Sequence, residues 1–332
     1  QFLAEAITLN NVINTTGAVS GSSVTLGGNV SVALGAPAAL ISTATAAGGS
    51  FSVTGTFSTP NALTVNTGTN GNVTFSNNLT VSGGALSVTG CNLSFRTTQV
   101  SGGAVTLSAS NAVTLNDNFN ASGTIAISAN TDNVGGQGFS QTAGNLSTSS
   151  TASPAISLRV NNIGGSGNAA VRGVLAGNGA GITINTTAGG VGGAITDANG
   201  TALNVYTGSG TLTALSDKGI SLDTTTATLT NATAATSGTV NIRNGTSLGL
   251  TVTAASANAG AVQISNVAGS LTIAANAITA LGGNVVLTTT TSGDVILNSN
   301  SINAGVNNVT ITSAGNINDG AVVTSVVTAN TL

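Results

Sequence analysis

Along most of the chain one three-residue unit recurs: an aliphatic residue or Phe, then Thr, Ser or Asn, then another aliphatic or Phe. It appears as Ile7-Thr8-Leu9, Val24-Thr25-Leu26, Phe51-Ser52-Val53, Leu63-Thr64-Val65 and Leu86-Ser87-Val88 in the first third. It returns as Val240-Asn241-Ile242, Leu250-Thr251-Val252 and Val309-Thr310-Ile311 in the last. Strand side chains alternate between faces, so the outer two residues of each unit point inward and the middle one faces solvent. No long window places apolar residues at three- and four-residue spacing opposite charged ones, and helix is not expected.

The units recur at fixed intervals. Val262, Val285 and Val309 follow one another after 23 and 24 residues, and Leu271 to Val295 and Ile278 to Ile302 each span 24. In the first third, equivalent positions return after about 20 residues, within the range of stacked repeats. A period carried by three separate positions predicts a coil with three sides. The expected fold is all-β: a right-handed parallel β-helix with three short strands per coil of about 20–24 residues. About 15 such coils would make a rod on the order of 70 Å long at the usual strand spacing.

Residues 1–332 read as one continuous solenoid. The segment 130–200 is the least regular, with Gly pairs, Pro154 and strand units only at Ile156 to Val160 and Ile182 to Ile184, so longer loops are expected there. After it the pattern resumes with Leu203-Asn204-Val205 and Ile220-Ser221-Leu222. Gly83-Gly84, Gly102-Gly103, Gly282-Gly283 and many Asn residues fall between strands, where corners call for positive φ. The two ends, 1–9 and 321–332, look like strand formers without a polar cap, which predicts stacking onto further coils or onto another copy.

Composition sharpens the picture. Only 4% of residues are charged and 2% aromatic, 46 are Gly, yet 40% are hydrophobic and evenly spread. A long thin core satisfies that balance; a single globular core does not. Net charge is -3 with five Lys and Arg, which leaves no basic stripe for nucleic acid. The most apolar run, Val30 to Ala47, is interrupted by Ser, Gly, Thr and Pro37, so no membrane span is expected. The chain begins at Gln1 without a signal-like segment and reads as mature or as part of something longer.

Candidate chemistry is sparse. The chain has no His, which excludes Ser-His-Asp and Cys-His nucleophiles. Asp197, Asp217 and Asp223, with Lys218 among them, could approach one another on adjacent coils as in a glycan-cleaving site; turn residues are the preferred reading. The single Cys91 shares parity with Leu93 and Phe95 and is expected in the core as a small hydrophobe. The segments GGQGFS, GGSGNAA and GGVGGAITD are as glycine-rich as a calcium-binding nonapeptide, but each lacks Asp at the required position, and no cofactor or metal is expected. Arg96, Arg159, Arg243 and Tyr206 each follow an inward position and should lie on the surface. Tyr206, Arg159 and Arg243 are therefore the candidate glycan contacts. Phe51, Phe75, Phe95, Phe119 and Phe139 follow one another at about the coil length and predict an internal aromatic column.

Residues Gly102 to Ser128, GGAVTLSASNAVTLNDNFNASGTIAIS, and Ala280 to Ile317, ALGGNVVLTTTTSGDVILNSNSINAGVNNVTITSAGNI, resemble the repeats of filamentous-haemagglutinin-like exoproteins of bacteria. That resemblance covers most of the chain outside 130–200. It implies export by two-partner secretion or a related route and an extracellular place on the bacterial surface, in a β-helical shaft that serves as an adhesin or surface fibre. The Asn-Pro motifs of that family's secretion domain are absent, since the prolines are Pro37, Pro60 and Pro154, so the resemblance implies that the chain is shaft, or a distant relative exported differently. The expected function is structural and non-enzymatic. The expected partners are further copies end to end or the rest of a longer adhesin, with a host or matrix glycan as ligand. A polysaccharide-binding or polysaccharide-degrading β-helix is the alternative.

Overall fold

The computed structural model describes residues 4–15, 22–33, 39–43, 48–245, 247–299, 301–320 and 327–331. Every strand pair among them is parallel, no helix occurs, and the strands stack in about 13 turns of a β-solenoid. At about 4.8 Å per strand the rod is on the order of 60 Å long. It is shorter than the period predicts because some coils hold more residues. Val113 lies opposite Phe139, Phe139 opposite Ala169 and Ala169 opposite Ile195, intervals of 26, 30 and 26.

In most of the rod each strand pairs with the third strand on, which is the signature of a three-sided coil. One column runs Phe51–Val53, Val73–Phe75, Leu93–Phe95, Val113–Leu115. The three positions read from the C-terminal period form three ladders: Val262 opposite Val285 opposite Val309, Leu271 opposite Val295, and Ile278 opposite Ile302. The strands alternate buried and outward residues as the unit predicts, and each inward Val, Ile, Leu or Phe contributes about 1.5–3 kcal/mol by leaving water. Of the two ends, Ala6–Leu9 stacks on Asn29–Val32 and Val327–Thr328 on Ile302–Asn303, while residues 1–3, 321–326 and 332 lie outside the described residues.

Three expectations are corrected. Gly83, Gly102 and Gly282 do not adopt positive φ. Their corners stack so closely that a Cβ on Gly83 would sit 1.6 Å from the Pro60 carbonyl oxygen, and Gly is there for lack of a side chain. Positive φ falls on other glycines, such as Gly48, Gly68, Gly238 and Gly293, and, as expected for corners, on Asn130, Asn133, Asn161 and Asn276. Leu203-Asn204-Val205 is not a strand unit: Asn204 is buried, Leu203 is exposed and the strand begins at Val205. Cys91 sits at a corner rather than in a strand, which breaks its parity with Leu93. It is half-buried, and its Sγ accepts from Asn111 Nδ2 at 3.2 Å.

Corners carry a repeated polar lock. The residue at the end of a strand, as after Leu63–Asn66, Ile156–Val160 and Gly181–Asn185, turns inward and donates to the main-chain oxygen of a Gly that opens the next side. Thr67 Oγ1 bonds Gly71 at 2.7 Å, Asn161 Nδ2 bonds Gly167 at 2.9 Å, Thr186 Oγ1 bonds Gly193 at 2.8 Å and Ser216 Oγ bonds Gly219 at 2.9 Å. Each lock satisfies a buried polar group that would otherwise cost about 1–3 kcal/mol.

Among the described residues the rod changes phase once. Val205–Ser216 and Ile220–Ala234 run through corners as continuous strands of 12 and 15 residues, with register shifts between them at Tyr206/Gly208, Gly208/Thr211 and Leu212/Thr213. Before this joint the five-residue strands Leu86–Gly90, Val105–Ala109, Ile125–Ala129, Ile156–Val160 and Gly181–Asn185 occupy one face. After it the five-residue strands are Val240–Asn244, Val262–Asn266 and Val285–Thr289, and they descend from Ile220 to Thr224 on the next face.

Candidate functional site

The three candidate glycan contacts reach the surface but lie apart. Arg159 projects from Ile156–Val160, Tyr206 lies opposite Leu175 on the preceding face, and Arg243 projects from Val240–Asn244. Arg159 and Arg243 are exposed and Tyr206 is half-buried. Arg243 is engaged by Asp223 at 3.4 Å. Arg159 donates from Nε to Asn161 O at 3.1 Å and from Nη2 to Asn162 Oδ1 at 3.4 Å. With Ser128, Ala129, Thr131, Asn161 and Asn162 it lines a groove of about 370 Å³.

The acids are dispersed in the same way. Asp217 is 2% exposed, and its Oδ2 accepts three backbone N–H groups, from Ala188 at 2.8 Å, Gly190 at 3.0 Å and Gly192 at 2.8 Å. It pins the loop between successive coils and presents nothing to a substrate. Asp197 caps a tight turn through Asn199 N and Gly200 N. Asn204 stands between Asp197 and Asp223: its Nδ2 donates to Asp197 Oδ1 at 2.9 Å, and its Oδ1 accepts Asp223 N at 2.7 Å. Lys218 makes no ion pair among the described residues. Among those residues no three of His, Cys, Asp and Glu converge on a common point, and no helix is long and apolar enough to cross a membrane.

The Phe residues form a cluster rather than a column. Phe75 and Phe95 stack at 5.6 Å and 13°; Phe51 meets Phe75 edge-on at 5.7 Å, and Phe119 meets Phe95 edge-on at 5.5 Å. Phe57, which the spacing does not select, meets Phe75 at 5.9 Å. Phe119 lies on a different side of the coil from Phe95, opposite Thr98, so its ring reaches across the core. Phe139 is equally buried but joins no ring pair among the described residues; it packs between Val113 and Ala169.

One surface feature was not selected by sequence reasoning. In three successive coils the loop at one corner presents a β-branched residue followed by two glycines: Val134-Gly135-Gly136, Ile163-Gly164-Gly165 and Val191-Gly192-Gly193. These tips are 66%, 75% and 49% exposed. The loops are tied together, with Asn133 Oδ1 accepting from Asn162 N at 3.0 Å and Ile163 N at 2.7 Å. The repeated triplet was visible in the sequence, but its exposure was not.

Comparison with protein families, curated proteins and solved structures finds no match to this chain.

Proposed function

We propose that the chain is a non-enzymatic structural rod of a bacterial cell surface, a segment of a fibre or adhesin shaft exposed outside the cell. The observation that carries this reading is the parallel ladder that the described residues form from Ala6 to Thr328, braced at several corners by polar locks. A ladder of this kind stabilises each coil through its neighbours and gives a stiff spacer whose length scales with coil number. The likeness of its repeats to filamentous-haemagglutinin-like exoproteins supports the same assignment, and end-to-end stacking of copies is the assembly such a rod would use. Negative-stain electron microscopy should find straight rods on the order of 60 Å, extended to multiples of that length where copies stack. Flexible or globular particles would refute the rod, and cleavage of an acidic glycan, abolished by Asp223→Asn, would refute the non-enzymatic reading.

The groove lined by the exposed Arg159 favours a second reading, in which the shaft also binds an acidic polysaccharide. Glycan binding lost in Arg159→Ala and retained in Arg243→Ala would support it.

A further inference from the structure

Successive loops share one edge of the rod. The strands that precede them pair in a single ladder from Ile125–Ala129 through Ile156–Val160 and Gly181–Asn185 to Ile302–Asn303. The strands that follow them pair in another, from Phe139–Gln141 to Val309–Thr312. The loops that join the two ladders are 130–138, 161–168, 186–194, 217–219, 235–239, 258–261, 281–284 and 304–308, stacked at the strand spacing over on the order of 35 Å. Nine large hydrophobic residues are exposed among the described residues, and five of them stand on this edge: Val134 66%, Ile163 75%, Val191 49%, Leu281 52% and Val306 85%. A single exposed aliphatic residue needs no explanation, but most of them aligned on one edge mark an interaction surface. Hydrogen bonds hold the tips in place. Val134 N donates to Asp132 Oδ1 at 3.1 Å and Ile163 N to Asn133 Oδ1 at 2.7 Å. Val191 lies between the Gly190 and Gly192 N–H groups bound by Asp217, and Leu281 O accepts Asn307 Nδ2 at 3.1 Å. Tips ordered in advance lose little freedom on association.

The tips are placed symmetrically. The first three loops and the last two carry one each, and the three loops between them present small and polar residues with Lys218. A two-fold axis across the rod between 217–219 and 235–239 sets 130–138 against 304–308 of a second copy, 161–168 against 281–284, and 186–194 against 258–261. Val134 then meets Val306, Ile163 meets Leu281 and Val191 meets Ala259. Loop length fits the same axis: the first three loops have nine, eight and nine residues and the last two have four and five, so each long loop faces a short one. Copies running the same way would set long against long and hold the short half apart. We propose that this edge joins two copies of the chain side by side and antiparallel, an isologous contact in which one edge serves both. Burying one aliphatic side chain removes about 60–120 Å², so the tips supply about 200–400 Å² per copy. With the loop main chain between them, the pair reaches the low end of specific interfaces, about 1,000 Å² in total. The contact is weak, and it widens the shaft without lengthening it. A lipid surface fits the edge less well, because membrane-binding faces set basic residues beside their apolar ones, and here the exposed charges in these loops are Lys218 and the acid Asp132. The two Lys218 side chains flank the axis, so salt tightens the pair by screening them.

The test begins with sedimentation equilibrium of the full chain, which should show a reversible dimer below about 1 mM, tighter as salt rises. Small-angle scattering should give that dimer a wider cross-section at unchanged length. Ile163→Asp, on an exposed tip, should abolish it at an unchanged melting temperature. Orientation is read by oxidative cross-linking of single-cysteine chains in a Cys91→Ser background. An equimolar mixture of Val134→Cys and Val306→Cys should link into dimers at least about tenfold better than either variant alone, because like positions lie at opposite ends of the edge, beyond the reach of a disulfide. A chain that stays monomeric to about 1 mM, a dimer that loosens with salt, or self-linking of Val134→Cys overturns the proposal. So does lipid-vesicle binding by a monomeric chain that Ile163→Asp abolishes. A dimer that is longer rather than wider also overturns it, while leaving the end-to-end shaft standing.

Discussion

Replacing Phe95 with Ala tests whether the aromatic cluster is a local keystone. Phe95 is fully buried, stacks on Phe75 and receives Phe119 edge-on. Truncating a buried Phe costs about 3–5 kcal/mol, of which each ring pair accounts for about 0.5–1.5 kcal/mol. Phe139 supplies the internal control, being as buried but in no ring pair among the described residues. Phe95→Ala should therefore destabilise by about 1–3 kcal/mol more than Phe139→Ala, as read by guanidinium denaturation. A solenoid couples only neighbouring coils, so hydrogen exchange should accelerate around Phe75, Phe95 and Phe119 while Val262–Asn266 and Val285–Thr289 keep their protection. Equal costs for the two variants, or a uniform loss of protection along the rod, would refute the reasoning.

Asp217→Ala orphans three backbone N–H groups and should open the 188–192 loop, giving faster proteolysis there with little change at other corners; unchanged cleavage would remove the pinning role. Asp117 has its carboxyl held below the ordinary aspartate value by the Asn118 N–H, then by the Thr97 hydroxyl and the Arg96 charge. Its contribution is present above about pH 3.9 and is lost as pH falls through the lowered folded value. The melting-temperature gap between wild type and Asp117→Asn should therefore close in acid, and a gap constant with pH would contradict this. Asn244→Ala removes the acceptor for Thr226 N and the donor to Asn266 Oδ1 and should cost about 1–3 kcal/mol for each group left unsatisfied. Unfolding should then separate into two steps at the joint; a single unshifted transition counts against it.

The ladder was legible wherever inward positions are aliphatic, because alternation and period then agree. It was not legible where an inward place is taken by a polar or small residue, as in Thr98–Val100, Phe119–Ala121, Leu146–Thr148 and Ala255–Ala257, which pair as regularly as the rest. A rule requiring two hydrophobes per unit passes over such strands, although Thr98 and Thr148 are buried. The surface placement of Arg159, Tyr206 and Arg243 followed from parity. Their separation did not, since it depends on which face each strand joins.

The joint at Val205–Ser216 and Ile220–Ala234 ties these points together. A period search treats the chain as one repeating object, yet the coil has two phases, and the transition needs strands that keep pairing through the corners. Such strands call for residues that tolerate either face. The run Thr224-Thr225-Thr226-Ala227-Thr228 meets that need, because Thr and Ala can be buried or exposed at small cost. Where Thr224 and Thr226 turn inward, their polar groups are met by Thr207, Asn244 and, through Asn244, Asn266. The same low hydrophobic contrast that blurs the pattern there is what lets the backbone change register, and the buried amides then define which register is kept. Loss of sequence periodicity at this place is therefore a physical requirement of joining two phases of one rod, not a sign that the rod ends.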